Sequence, residues 1–396
     1  MTKKRIAIVY DWMDSWGGVE RMLLTMNEMY PDAHWYTSYL NKDGAAWTQI
    51  IAGSFAGAQD DSQKNTIITS FIQKLPSFIK SNRILSLPFY PHAFESFDFR
   101  EYDLVISVTS SFAKSVITLP HTKHVCILLT PTRWLYSNEN SYELSITNYE
   151  LFKSIRRWYA NQLKRWDLVV AQRPDEIISI SQTVADRCLT YYHRKSTVIY
   201  PPFDAKYWSR IHNQIQITNY LPRRQAGELR MEIGLPKEYF LVVSRLESYK
   251  KVDLVIQTFK KFPNKQLIIV GKGTQGKKLK AMASHNIQFI QDVTDQELGV
   301  LYSQAQALIM PQEEDFGYVA LEAQFFGCPV IAYGVGGACE TIIDGKTGLL
   351  FYNQSVDALS DAVADFDHNK YNLEDQASIF ERFQKEKFIR AINTYI

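Results

Sequence analysis

The residues best suited to chemistry in this chain lie in one stretch, Pro311-Gln312-Glu313-Glu314-Asp315-Phe316-Gly317-Tyr318-Val319-Ala320-Leu321-Glu322-Ala323-Gln324. The apolar run Ala307-Leu308-Ile309-Met310 predicts a strand leading into this acidic loop, and Gly317 opens a predicted helix with Glu322 on its first turns. In an α/β sheet, such a strand–loop–helix junction faces the ligand crevice at the strand's C-terminal end. The helix start offers free backbone N–H groups and the positive end of the dipole, both of which favour phosphate. Glu314 and Glu322 can accept hydrogen bonds from hydroxyl-rich groups flanking that phosphate, so the stretch suits a nucleotide-sugar. Taken alone, it is more often a structural helix start with Asp315 as its cap.

Neighbouring strand ends shift that balance. Leu241-Val242-Val243-Ser244 runs into Arg245-Leu246-Glu247-Ser248-Tyr249-Lys250, where two cations before a helix can hold a diphosphate. Leu267-Ile268-Ile269-Val270 runs into Gly271-Lys272-Gly273, and Val330-Ile331-Ala332-Tyr333 runs into Gly334-Val335-Gly336-Gly337. An exposed basic loop or a flexible turn is ordinary on any surface. Glycine, cation or carboxylate at four neighbouring strand ends is not, and it favours a nucleotide site. Near the N-terminus, Gly17-Gly18 between a first strand and a first helix would let backbone approach a phosphate, or would serve a tight turn that needs positive φ. No G-x-G-x-x-G accompanies the pair.

The elements that must position these residues follow from hydrophobic patterning. A chain of 396 residues predicts two domains. Strands are expected at 5–10, 33–37, 103–107, 124–129, 177–180 and 197–200, with an irregular aromatic-rich segment from Phe71 to Phe99 lining one wall of a cleft. A long helix is expected over 141–168, with Lys153, Arg156, Arg157 and Lys164 on one face and Leu151, Phe152, Ile155, Trp158, Tyr159 and Trp166 on the other. Pro201-Pro202-Phe203-Asp204 breaks the pattern, and 205–236 reads as a polar, irregular linker. Beyond it, apolar runs at 239–244, 266–270, 287–290, 306–310, 329–333 and 348–351 alternate with helical patterns, which implies a parallel sheet. The expected division is 1–204, 205–376 and an amphipathic 377–396 that packs back across the domains. The fold class is α/β.

Several classes are disfavoured. A net charge of +2 argues against a nucleic-acid binder. Cys126, Cys188, Cys328 and Cys339 lack paired spacing, which suggests a reducing compartment without disulfides or a zinc site. No apolar run is long enough to span a bilayer, so a cytoplasmic protein is expected. The basic face of the 141–168 helix is either a solvated face or a peripheral contact with anionic membrane. Asp365-Phe366-Asp367, the only D-x-D, reads as surface, and no metal is assigned.

The residues resemble a known family. Glu314 and Glu322 are similar to the two glutamates of the E-x7-E motif of retaining glycosyltransferases with the GT-B fold, the large family four. Pro311, Phe316-Gly317, Leu321-Glu322-Ala323, Gly327-Cys328-Pro329-Val330-Ile331-Ala332 and Gly336-Gly337 follow its pattern. So do Ser244-Arg245-Leu246 with Lys250, Val270-Gly271-Lys272-Gly273, and Gly17-Gly18-Val19-Glu20-Arg21. Tyr200-Pro201-Pro202-Phe203-Asp204 looks most like bacterial mannosyltransferases of surface polysaccharide and O-antigen assembly.

The resemblance implies two Rossmann-like domains facing a cleft, the N-terminal one for an acceptor and the C-terminal one for a nucleotide-sugar. It implies that Glu314 contacts donor-sugar hydroxyls, Glu322 the ribose, and Arg245 and Lys250 the diphosphate. Gly17, Gly18, Gly271 and the Phe316-Gly317-Tyr318 turn would also contact the donor, with Val293 near the base. It implies a hexosyl transfer without metal or cofactor, with GDP-mannose the favoured donor and a glycan or lipid-linked saccharide the acceptor. Two positions depart from the pattern: Leu129 stands where related sequences usually carry His, and Lys251 where glycine is commoner. His121 and His124 lie near Leu129 without aligning, and either reads as a surface histidine. A non-catalytic subunit and a nucleotide-sugar 2-epimerase on the same fold remain the alternatives.

Overall fold

Two all-parallel sheets organise the chain in the computed structural model, which describes residues 4–53, 67–136, 150–220, 235–371 and 376–396. The first contains β1 (Ile6–Tyr10), β2 (His34–Thr37), β3 (Ile67–Thr69), β4 (Leu104–Thr109), β5 (Lys123–Leu128), β6 (Glu176–Ser179) and β7 (Thr197–Val198), in the order β3-β2-β1-β4-β5-β6-β7. The second contains β8 (Phe240–Val243), β9 (Leu267–Val270), β10 (Ile287–Ile290), β11 (Ala307–Met310), β12 (Val330–Tyr333) and β13 (Gly348–Phe351), in the order β10-β9-β8-β11-β12-β13. The chain divides accordingly. One compact unit takes in the described residues before Phe203 together with Lys385–Ile396, and the other spans Phe203–Gln384.

Strand composition explains the layering. Every residue of β4, β9 and β11 is buried, as expected for strands covered on both faces. In the second unit, Val255, Ile256 and Phe259 of helix Val252–Lys260 and Leu359 and Val363 of helix Val356–Ala364 pack on Val242, Ile269 and Ile309 of the sheet. The first unit's core is aromatic, built on Tyr36, Tyr90, Phe94, Phe99, Tyr102 and Phe112. The end of the Phe71–Phe99 segment, from Tyr90, contributes to this core: Tyr36 and Phe99 meet with ring centroids 4.9 Å apart, and Tyr90 stacks on Phe112 at 5.0 Å. β3 went unread in the sequence because three residues on a sheet edge carry little periodicity.

Three expectations are corrected. Residues 205–236 do not begin as an irregular linker, because Ala205–Tyr220 is a helix. Asp204 caps it by accepting from the Tyr207 N–H at 2.9 Å, and Trp208 is buried edge-on against Phe326 at 5.6 Å. Its Gln, Asn and His content hid a helix that Trp208 anchors, with Tyr207 donating to Asp295 and His212 packed on Phe326 at 5.7 Å. The long helix runs Glu150–Val170, later than expected, and 141–149 lie outside the described residues. Its buried side comprises Leu163, Asp167 and Val170, while Trp158, assigned to the apolar face, is 62% exposed. The side chains of Lys153 and Arg156 lie outside the described part. Finally, the amphipathic 377–396 stretch is broken at Phe383-Gln384 into helices Gln376–Arg382 and Lys385–Asn393, which belong to different units.

Candidate functional site

Each sheet reverses its winding once, between β1 and β4 in the first unit and between β8 and β11 in the second. Ligands of open α/β sheets bind outside the strand ends at this point of reversal. In the second unit the loops there are Ser244–Lys251 after β8 and Pro311–Gly317 after β11, which carry the cations and carboxylate singled out in the sequence.

The two loops meet through their charges. Lys250 Nζ lies 2.5 Å from Glu314 Oε1, with both side chains largely buried. The Gln312 carboxamide donates to the same oxygen at 2.5 Å. Arg245 is exposed, and its guanidinium donates to the Tyr249 hydroxyl at 2.7 Å. Glu322 is buried on helix Tyr318–Phe325, where the Tyr302 hydroxyl donates to its Oε2 at 3.2 Å. Phe316 is buried, Gly317 caps the helix in a left-handed conformation, and Tyr318 is its first residue. Gly317 and Tyr318 thus stand at a helix start between the two carboxylates.

Glycine turns from neighbouring strands brace both loops. Gly336 has φ +82°, and a Cβ there would come within 2.4 Å of the Glu314 carbonyl oxygen. The Gly337 N–H donates to that carbonyl at 2.7 Å, which fixes the backbone that carries Glu314. Gly271 has φ +138°, and a Cβ there would come within 2.0 Å of the Ser244 carbonyl. The second turn therefore packs against the loop that carries Arg245. Lys251 adopts φ +51°, the left-handed region that glycine enters most easily. Val293 is half-buried after β10, just before Thr294 caps the next helix with a reciprocal Glu297 contact.

The first unit holds the other predicted residues. Gly17 precedes helix Gly18–Met29 with φ −171°, an extended backbone, and Gly18 has no positive φ either, so the tight-turn reading of the pair does not hold. Beside them the Tyr10 hydroxyl donates to buried Glu20 Oε1 at 2.8 Å, and burial, then the Glu20 charge, hold this phenol far above its ordinary range. At the first unit's point of reversal, Asp11 fills the crevice. Its Oδ1 accepts from the Phe112 N–H at 2.9 Å, the Ala113 N–H at 2.7 Å and the Thr109 hydroxyl at 2.9 Å. Its Oδ2 accepts from the Ser110 N–H at 2.7 Å and the Ser111 N–H at 3.1 Å.

Further along the sheet, Lys114 Nζ and Asp167 Oδ1 form a fully buried pair at 2.6 Å. Thr132 and Tyr136 each donate to Asp167 at 3.1 Å, which ties the long helix to the chain following β5. Leu129 is buried, its N–H donating to the Thr109 carbonyl at 2.8 Å. His124 is no surface histidine. It is fully buried, its Nε2 2.9 Å from Ser107 Oγ, and burial pushes its pKa down to about 4.

Sequence reasoning missed Asp11, Gln312 and Tyr302. Asp11 is a lone acid after a strand, and Gln312 stands two residues before Glu314. Only the fold shows what either touches.

Residues 228–385 match the family of glycosyl transferases group 1. The D-inositol 3-phosphate glycosyltransferase of Corynebacterium aurimucosum is 30% identical over 158 residues, covering 35% of this chain and 38% of that protein. The GDP-mannose-dependent alpha-(1-6)-phosphatidylinositol monomannoside mannosyltransferase of Mycolicibacterium smegmatis is 34% identical over 157 residues, covering 35% of this chain and 41% of that protein. The chain thus spans roughly 40% of the length of these curated relatives. Among solved structures, Anabaena HepE in complex with UDP-glucose superposes with a TM-score of 0.66 at 18% identity, covering 98% of both chains. That last likeness speaks for the fold alone. Residues 228–385 are therefore similar to the group 1 glycosyl transferases, and the chain as a whole has the GT-B fold.

Proposed function

We propose that the protein is a retaining hexosyltransferase that moves a sugar, mannose favoured, from a nucleotide-diphosphate donor to a glycan or lipid-linked saccharide. The observation that carries this reading is the contact of Lys250 with Glu314 at 2.5 Å, at the point where the second sheet reverses. A cation for phosphate and a carboxylate for sugar hydroxyls then stand side by side, as the two halves of a sugar-diphosphate require. Breaking the sugar–phosphate bond leaves charge on the diphosphate. Lys250, Arg245 and the N–H groups at the start of helix Tyr318–Phe325 stabilise that charge without a cofactor. Glu322, steadied by Tyr302, accepts from the ribose. The acceptor hydroxyl attacks from the face the phosphate leaves, which retains configuration. Gly17 and Gly18 enter the reading through the resemblance, as does Val293 near the base. The mannosyltransferase relative supports mannose as the sugar.

A thermal-shift panel of GDP, UDP and ADP sugars tests the donor, since a ligand at 100 times its Kd stabilises by about 2.7 kcal/mol. Glu314→Gln and Lys250→Ala should each lower sugar transfer by about 10²-fold or more. Near-normal transfer by either folded variant would sink the assignment.

Contact with anionic membrane belongs to the same proposal, and a second surface joins the basic face of the long helix as a candidate for it. From Ile67 to Phe94 the chain has Lys74, Lys80 and Arg83 and no Asp or Glu, though Arg83 is ion-paired with Asp14 at 2.7 Å and the two lysines carry the charge of this surface. Within that span Phe71, Phe78, Ile84 and Leu85 are exposed, Phe78 by 67%. Among the described residues, no helix is long and apolar enough to cross a membrane. Cations interleaved with exposed apolar side chains suit a bilayer surface. Phe78→Glu should weaken sedimentation with phosphatidylglycerol vesicles. A wild-type protein that ignores such vesicles at low salt removes this part of the proposal.

A further inference from the structure

We infer that Gln312 is a positioning residue of the donor site, holding the Glu314 carboxylate in place while Lys250 changes partners. The inference rests on the reading of Glu314 as the group that meets the donor sugar.

The loop after β11 is clamped at both ends. The Gln354 carboxamide donates to the Pro311 carbonyl at 2.8 Å, and the Gly337 N–H donates to the Glu314 carbonyl at 2.7 Å. Between the clamps Gln312 is buried, its Nε2 2.5 Å from Glu314 Oε1. Its own Oε1 is buried with no hydrogen-bond partner. A buried amide normally satisfies both ends, and leaving the oxygen unpaired is unfavourable. Turning the amide over would set its oxygen against the Glu314 carboxylate at the same short distance. The orientation is therefore dictated by Glu314, at the expense of Gln312's own pairing. A glutamine present only to fill space would not be constrained in this way.

The consequence concerns exchange. Lys250 and Gln312 grip the same oxygen of Glu314. When a diphosphate enters, the ammonium is drawn to the phosphate oxygens. Without Gln312 that oxygen of the carboxylate would lose its remaining side-chain donor of this pair as the cation departs, and its aim at the sugar hydroxyls would loosen. With Gln312 it stays, because a neutral amide is not attracted by the incoming anion. Gln312 thus separates two tasks that the Lys250–Glu314 salt bridge alone would couple.

The test compares paired ligands, GDP with GDP-mannose and UDP with UDP-glucose, by calorimetry on wild type and Gln312→Met, which keeps the buried volume. The variant should bind the bare diphosphate within about twofold of wild type. It should lose about tenfold of the extra affinity that the sugar confers, the scale of a misplaced contact group. In Gln312→Glu, two carboxylates face each other, and the sugar-dependent part should return as pH falls and the pair shares a proton. Equal losses for diphosphate and diphosphate-sugar would mark Gln312 as merely structural and overturn the inference. So would an unchanged sugar-dependent part. If Glu314→Gln also leaves that part unchanged, the reading of Glu314 fails first. If Glu314→Gln abolishes it and Gln312→Met does not, only the role of Gln312 falls.

Discussion

The two units reverse their sheets in the same way, yet they treat the resulting crevice oppositely. In the first, Asp11 reaches from the end of β1 into the loop after β4 and takes four consecutive backbone N–H groups. Those amides form the kind of cradle that would hold a phosphate, and the protein's own carboxylate occupies it. In the second, Ser244 follows β8 where Asp11 follows β1, and the carboxylate comes from the opposite loop: Glu314, after β11, faces an ammonium that an incoming anion can draw away and an amide that stays. Topology thus provides two equivalent crevices. Side-chain charge closes one and leaves the other able to exchange partners.

The largest effect should come from opening the closed crevice. Asp11→Ala leaves buried amides without an acceptor, and at about 1–3 kcal/mol for each unsatisfied group the unit should lose roughly 3–5 kcal/mol. Urea unfolding monitored in the first unit measures this, while nucleotide-sugar binding to the folded variant should persist. Loss of binding with stability unchanged would break the comparison.

Next comes acid sensitivity, which should also sit in the first unit. His124 has its folded pKa pushed down to about 4 from an ordinary 6.5, so the native state holds it neutral. Below pH 6.5 the unfolded chain takes up a proton that the native one refuses. Stability is therefore full above pH 6.5 and declines as pH falls towards 4, by about 3 kcal/mol. His124→Gln should flatten that part of the stability–pH curve, and an unaltered slope would move the sensitivity elsewhere.

The smallest effect tests backbone conformation in the open crevice. Lys251→Gly removes a left-handed non-glycine residue and should stabilise the second unit by about 1 kcal/mol. A destabilised variant would show that the Lys251 side chain itself holds the loop.

Much of this was legible from residue order. Parallel strands announce themselves as short apolar runs, and Glu314, Lys250, Gly271 and Gly336 were identified because strand ends must be polar where ligands bind. The proximity of Lys250 to Glu314 needed the sheet order, since 64 residues separate them. Asp11 was not legible, because nothing in the sequence links it to amides about a hundred residues later. The helix Ala205–Tyr220 was half-legible: Asp204 before it is an ordinary cap, but polar content masked the anchor at Trp208. The long helix was rotated in the reading because Asp167, a charge, lies on its buried side, paired with Lys114. Periodicity assumes that buried means apolar, and this pair violates the assumption.

The junction at Phe203 bears on how the chain comes together. The Phe203 N–H donates to the Phe383 carbonyl at 2.7 Å, and Phe203 bridges Gln384 in parallel, so the second unit begins and ends at one point. It is an insertion whose ends meet, placed before the last helix of the first unit, Lys385–Asn393. An unfolded insertion of roughly 180 residues would cost about 4–5 kcal/mol of closure entropy before that helix could dock Phe388 and Ile392. Once the insertion has folded, its joined ends act as a short tether and most of that cost is gone. Assembly should therefore run from the inside out, with the second unit completed before the unit that encloses it in sequence.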